Sequence, residues 1–197
     1  MFLRRLSLIV LLSFSLSSCG INTVPTAEEE AKGRWADVEN AYQRRADLIP
    51  NLVETVKGFA AQEREVLTEV TEARARATQV HIDAGDLSDP QAMQRYQEAQ
   101  SGLTNALSKL NFVVERYPEL RSNENFLMLQ SQLEGTENRV AVARRDYIEQ
   151  VRDYNREFAV IPDRWVAAVF NGAYEPAEVF EAPEAAQEAP EVRFGDE

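Results

Sequence analysis

The sequence predicts an all-α protein: an antiparallel bundle of three long helices, the first kinked at Pro50, plus a short fourth helix. Three observations predict it. Apolar residues recur every three or four positions through most of residues 26–158, the period of one helix face. Prolines and a Gly-Asp turn fall where those stripes stop. No segment shows the two-residue alternation, bounded by turns, of a strand.

The first helix is expected over residues 26–80. Thr26-Ala27-Glu28-Glu29 has the spacing of a capping box, a hydroxyl followed three residues later by a carboxylate. The stripe then runs through Trp35, Val38, Tyr42, Ala46, Ile49, Val53, Val56, Ala60, Leu67, Val70, Ala73, Ala77 and Val80, missing a turn only between Ala60 and Leu67. Its phase is unchanged across Pro50. Proline removes the hydrogen bond to the carbonyl of Ala46, so a kink is expected there, with that carbonyl open to another donor. A break at Pro50, giving four comparable helices, is the alternative topology.

Ala84-Gly85-Asp86-Leu87-Ser88-Asp89-Pro90 supplies a turn, a capping side chain and a proline suited to the first helical position. The second helix carries Met93, Tyr96, Ala99, Leu103, Leu107, Leu110 and Val114 and ends before Pro118. After a short connection the third carries Phe126, Leu129, Leu133, Val140, Ala143, Tyr147, Val151, Tyr154 and Phe158, ending before Pro162. An amphipathic piece over 163–170 would seal one end of the bundle with Trp165, Val166, Val169 and Phe170. Residues 173–197, rich in Glu, Ala and Pro, read as an acidic disordered tail.

The start of the chain bears on the compartment. Arg4 and Arg5 precede an apolar run over residues 6–16, about 16 Å as a helix and half of a hydrocarbon core about 30 Å thick. Leu16-Ser17-Ser18-Cys19 resembles a lipobox, so residues 1–18 read as a lipoprotein signal peptide, Cys19 as the lipidated residue and 19–25 as its tether. Losing Arg4 and Arg5 would take the formal charge from −12 to −14. That charge argues against nucleic acid and anionic headgroups as partners and leaves attachment to the acyl chains. Gly20, in a position where aspartate favours inner-membrane retention, leans towards the outer membrane with the domain facing the periplasm.

Residues 44–60, Arg-Arg-Ala-Asp-Leu-Ile-Pro-Asn-Leu-Val-Glu-Thr-Val-Lys-Gly-Phe-Ala, resemble the hallmark stretch of the LemA family. Further matches follow at Glu115-Arg116-Tyr117-Pro118-Glu119-Leu120, at Asn125-Phe126-Leu127-Met128-Leu129-Gln130, and at Ala143-Arg144-Arg145-Asp146-Tyr147 with Tyr154-Asn155. The resemblance covers residues 30–172. It implies a membrane-held helical bundle with no established catalytic activity. A TPM-domain protein or an M48-type metalloprotease are the envelope partners it suggests.

Catalytic readings find few residues. The sole histidine, His81, lacks the Glu three residues before it that a di-metal helix motif needs, since Thr78 stands there. A lipidated Cys19 leaves no thiol, and no glycine-rich phosphate loop occurs. Glu63, Glu65, Glu69 and Glu72 alternate with arginines as a solvated helix face does. No metal or cofactor is implied, and the chain is expected not to be an enzyme. The hallmark stretch is the candidate interaction site. Leu48, Ile49, Leu52, Val53 and Val56 cover more of the helix than one core stripe needs. Either the extra face packs inside the bundle, or Arg45, Asp47, Leu48, Pro50, Asn51, Leu52 and Lys57 form a partner-binding surface. The expected function is a lipid-anchored envelope scaffold; the alternative is a ligand-binding or enzymatic module with a pocket between helices.

Overall fold

The computed structural model describes residues 22–83, 85–160 and 175–180. Cys19 with its lipobox, the expected short helix at 163–170 and most of the acidic tail lie outside the described residues. Every regular element among those described is a helix: α1 Thr23–Phe59, α2 Arg64–Gln79, α3 Pro90–Val114, α4 Pro118–Arg121 and α5 Glu124–Glu157.

The single element expected over 26–80 is two helices, and the break is not at Pro50. Helix α1 runs unbroken through Pro50 to Phe59. The chain turns at residues 60–63, and α2 returns antiparallel to α1, as shown by the bond from the Trp35 indole near the start of α1 to the carbonyl of Ile82 just beyond α2. The turn coincides with the missing step of the apolar stripe. Continued straight, α1 would leave Leu67, Val70, Ala73 and Ala77 in water; folded back, all four are buried. Polar contacts clamp the turn: the Tyr117 hydroxyl donates to Glu63 at 2.7 Å and accepts from Gln62 at 2.9 Å, and Arg116 pairs with Glu63 at 3.1 Å. The bundle therefore has four principal helices running up, down, up and down, rather than three.

The start of α1 also differs. Asn22 is the N-cap, and the amide of Thr26 already donates to its carbonyl, so Thr26 lies inside the helix and its capping box is unused. Pro25 falls in the first turn, where its missing N–H leaves no intrahelical bond unmade. The other boundaries follow the sequence signals: Asp89 caps α3 through the amide of Gln91 with Pro90 next, and Asn123 caps α5 through the amide of Phe126.

Two apolar clusters fill the bundle. One gathers Trp35, Val38, Tyr42, Met93, Tyr96, Tyr147, Val151 and Tyr154; the other gathers Ile49, Leu52, Val56, Val70, Leu103, Leu110, Leu120 and Phe126. Between them lies a polar layer built on Arg45, Gln100, Thr104 and Glu137. The backbones of α1 and α5 pack along their lengths, as do those of α2 and α3, whereas α3 and α5 approach each other little.

Residues 175–180 correct the expectation for the tail. They have no regular structure, but they cross the end of the bundle with Ala177 and Phe180 buried in the first cluster.

Candidate partner-binding groove

The hallmark stretch divides between core and surface. Arg45 is 1 % exposed and Leu52 2 %, with Ile49 and Val56 equally buried. Leu48 and Val53 pack partly buried against the second cluster, while Asp47, Pro50, Asn51 and Lys57 are exposed. Asp47 accepts from Gln43 at 2.7 Å, and Lys57 pairs with Glu54 at 3.2 Å, both within α1. The carbonyl of Ala46, left without its amide by Pro50, accepts from Arg74 Nε at 2.8 Å. The donor expected from outside the helix thus comes from α2 of the same chain.

Arg45 organises the middle of the bundle. One terminal nitrogen donates to Thr104 Oγ1 at 3.0 Å and Glu137 Oε1 at 2.9 Å; the other reaches Gln100 Oε1 at 2.8 Å and the Gln100 carbonyl at 3.3 Å. The guanidinium also lies 5.0 Å from the centre of the Tyr42 ring, while its Nε–H finds no acceptor. Gln100 in turn donates to the carbonyl of Ala77 near the end of α2. A fork of planar donors thereby ties α1 to α3 and α5, with α2 held through Gln100.

Because α3 and α5 stay apart, a groove of about 550 Å³ opens between them. Its apolar lining is Leu52, Leu107, Phe126 and Leu133, and its polar margins include Asn111, Gln130, Glu134 and Glu137. Glu137 therefore serves the Arg45 layer and the groove at once. Phe112, 80 % exposed, lies one turn beyond Ser108, and Leu127, half exposed, one turn before Gln130, so apolar surface continues past the groove at the end where α1 turns into α2. Leu52 was reached from the sequence, with interior packing and a binding surface both left open; it is buried and lies at the floor of the groove. Thr104, Leu107, Leu133 and Glu137 were missed as site residues. A signal existed on α5, whose stripe skips from Leu133 to Val140; on α3 the stripe runs through Ala99 without a gap and hid Gln100.

A second cleft, about 340 Å³, lies on the other flank of α1 and contains Glu39, Asn40, Gln43, Thr78, His81 and Gln100. Burial holds the Glu39 carboxyl above the ordinary carboxylate range, an effect that nearby His81 offsets in part. His81 itself is exposed, two residues past the end of α2. Among the described residues no three His, Cys, Asp or Glu side chains converge as metal ligands.

Several known proteins resemble the chain. Magnetosome protein MamQ 2 of Paramagnetospirillum magneticum is 26 % identical over 179 residues, which cover 81 % of this chain and 64 % of that protein. Magnetosome protein MamQ of Magnetospirillum gryphiswaldense is 24 % identical over 168 residues, 75 % of this chain and 60 % of that one. Protein LemA of Metamycoplasma hominis is 21 % identical over 126 residues, 64 % of this chain and 53 % of that one. The chain thus spans less than two thirds of the length of these relatives. Residues 34–194 match the LemA family, a span that takes in α1 from Arg34 onward, the other principal helices and residues 175–180, and the chain belongs to that family.

Proposed function

We propose that this protein is a non-catalytic interaction module of the bacterial envelope, anchored through lipid on Cys19, that seats an amphipathic helix of another envelope protein in the α3–α5 groove. The groove is the observation that carries the reading: an apolar floor, polar margins and exposed Phe112 and Leu127 at its open end. Helix-in-groove recognition needs a floor of this kind. Glu134 and Glu137 are the ionisable residues of its lining, and the whole chain carries −12, so a helix with basic flanks fits and an acidic one is repelled. The anchor is assigned to Cys19 on the resemblance of Leu16-Ser17-Ser18-Cys19 to a lipobox; no helix among the described residues is long and apolar enough to cross a membrane. Two relatives are named for the magnetosome, and a membrane setting is in keeping with that name. Outer-membrane attachment with the domain in the periplasm, and a TPM-domain protein or M48-type metalloprotease as partner, belong to the same proposal.

The test is in-cell photocrosslinking from position 130, on the groove margin. The expected result is one defined adduct, lost when Phe112→Lys and Leu127→Glu change the margin and retained when Asn51→Ala and Lys57→Ala change the outer face of α1. Adducts indifferent to the margin but lost with the α1 changes would refute the groove. The cleft holding Glu39 and His81 favours a second reading, a small-ligand site between α1 and the α2–α3 pair. Glu39→Gln with His81→Ala would then abolish activity in cells while leaving the crosslink intact.

A further inference from the structure

The segment 175–180 is held as a bound peptide is held. Asn155 clamps Ala177 from both sides: its Nδ2 donates to the Ala177 carbonyl and its Oδ1 accepts from the Ala177 amide, each at 2.9 Å. The Tyr154 hydroxyl donates to the carbonyl of Glu175 and that of Tyr147 to the carbonyl of Glu178, both at 2.9 Å. The amide of Glu178 donates to the carbonyl of Leu87, in the α2–α3 connection, at 2.8 Å. Five main-chain groups within four residues are thus read by the bundle, and none of these bonds depends on the strap's side chains.

Side-chain selection is confined to two positions. Ala177 is buried, which requires a small residue there. Phe180 enters an aromatic seat: it stacks on Trp35 with ring centres 5.9 Å apart, meets Tyr147 edge-on at 5.7 Å, and lies under the Arg144 guanidinium, 4.4 Å from its ring centre. Arg144 also lines a shallow cleft on α5 with Arg145, Glu149 and Arg152; Arg145 pairs with Asp146 at 3.1 Å, and three arginines against one glutamate leave the cleft net basic in an otherwise acidic protein. Backbone clamps, one small pocket, one aromatic anchor and basic surroundings are the parts of a peptide-recognition site.

We propose that this end of the bundle is a binding site for an acidic, extended peptide of a partner protein, with a small residue followed three positions later by an aromatic one, and that residues 175–180 occupy it in cis as a displaceable stand-in. It is separate from the α3–α5 groove, whose lining lies on the other side of the Arg45 layer. A second copy of the chain is the weaker occupant. Exchanging straps between copies reproduces the same contacts while adding the cost of association. A foreign peptide can add contacts to Arg145 and Arg152. It must compete with an attached segment whose effective concentration is of millimolar order, so the site answers to strong or locally concentrated ligands.

The probe is a fluorescein-labelled synthetic peptide of residues 174–182, titrated by anisotropy into the full chain. Phe180→Ala removes the anchor from the attached strap and leaves the site intact. That variant should bind the probe at least about tenfold more tightly than the unmodified chain does, because the competitor is weakened. Adding Asn155→Ala should abolish binding, as should replacing the probe's phenylalanine by alanine, and raising salt should weaken it. If Phe180→Ala disturbs folding, Ala177→Pro loosens the strap without touching the site, since it deletes the amide that Asn155 accepts. No binding to either folded variant, or binding indifferent to Asn155→Ala, overturns the proposal. So does sedimentation of the unmodified chain as a dimer that Phe180→Ala dissolves, for the occupant would then be a second copy.

Discussion

Replacing Arg45 tests whether the hallmark arginine is structural. Arg45→Ala removes a side chain that is 1 % exposed and strips donors from Gln100, Thr104 and Glu137. Removing one partner of a buried ion pair costs about 3–5 kcal/mol. Here the lower end applies, because the Glu137 side chain is 45 % exposed and can turn to water. The buried Gln100 cannot, and losing a charged donor costs it about 1–3 kcal/mol, while the deleted side chain leaves a void. Together these give about 4–6 kcal/mol, a fall in melting temperature of about 15 °C for a domain of this size. Arg45→Met fills most of the volume, releases Glu137 to solvent and eliminates the unpartnered Nε–H, so only the Gln100 term persists, about 1–2 kcal/mol. Urea unfolding followed by circular dichroism at 222 nm measures both. A loss under about 1 kcal/mol for Arg45→Ala, or a larger loss for Arg45→Met than for Arg45→Ala, would refute the buried-layer account.

Other outcomes follow from the same geometry. Cys19→Ala should release the protein from membranes or leave an uncleaved precursor; unchanged fractionation would remove the anchor from the proposed function. Leu52→Asp places a carboxylate on a floor position that is 2 % exposed, and helicity at 37 °C should fall with it; a fully helical variant that merely lost its partner would mean the side chain faces water. Burial raises the Glu39 carboxyl, so the folded state holds its proton more tightly than the unfolded chain, and stability declines as pH rises from the unfolded pKa through the folded one. Glu39→Gln should therefore melt above the unmodified protein at pH 7, with the gap closing below about pH 3, where the Glu39 carboxyl is protonated in the folded and the unfolded chain alike; a constant gap would contradict that origin.

Most helices and the Asp89 cap were legible in the sequence because their causes are local, whereas the expected Thr26 box went unused and the Asn123 cap was not read. Asp89-Pro90 and Asn123 act through bonds to amides two and three residues on, and the apolar stripes need only the helical period. The turn at 60–63 was harder to read because its cause is tertiary. The skipped stripe position marked the place, but the Tyr117, Arg116 and Gln62 contacts that fasten Glu63 come partly from residues more than fifty positions away. At Pro50 the expected continuation of the helix holds, since α1 runs through it, and the alternative break there does not occur. A proline's local penalty argues for a break, yet the carbonyl it exposes is met by Arg74 once α2 folds back. The tail misled through composition: Glu, Pro and Ala announce disorder, whereas five main-chain bonds and one phenylalanine hold residues 175–180. The burial of Arg45 was not legible because a charged residue on a helix is ordinarily solvated, and only the polar positions facing it on α3 and α5 could have shown it.

The polar layer sets the relative position of the two proposed binding surfaces. An uninterrupted apolar core would let α3 or α5 slide by a turn with little change in buried area, displacing the groove margins and the Asn155 clamp together. Arg45 forbids that slip, since its planar fork meets Thr104, Glu137 and Gln100 in one register only. The groove lies on the Leu52 side of this layer and the strap on the Trp35 side. Fixing α5 at Glu137 therefore fixes the groove margin at Gln130 and Glu134 and, along the same rigid helix, the tyrosines and asparagine that hold the strap. On that proposal the hallmark arginine acts from the interior, by setting the spacing of surfaces that it does not itself present.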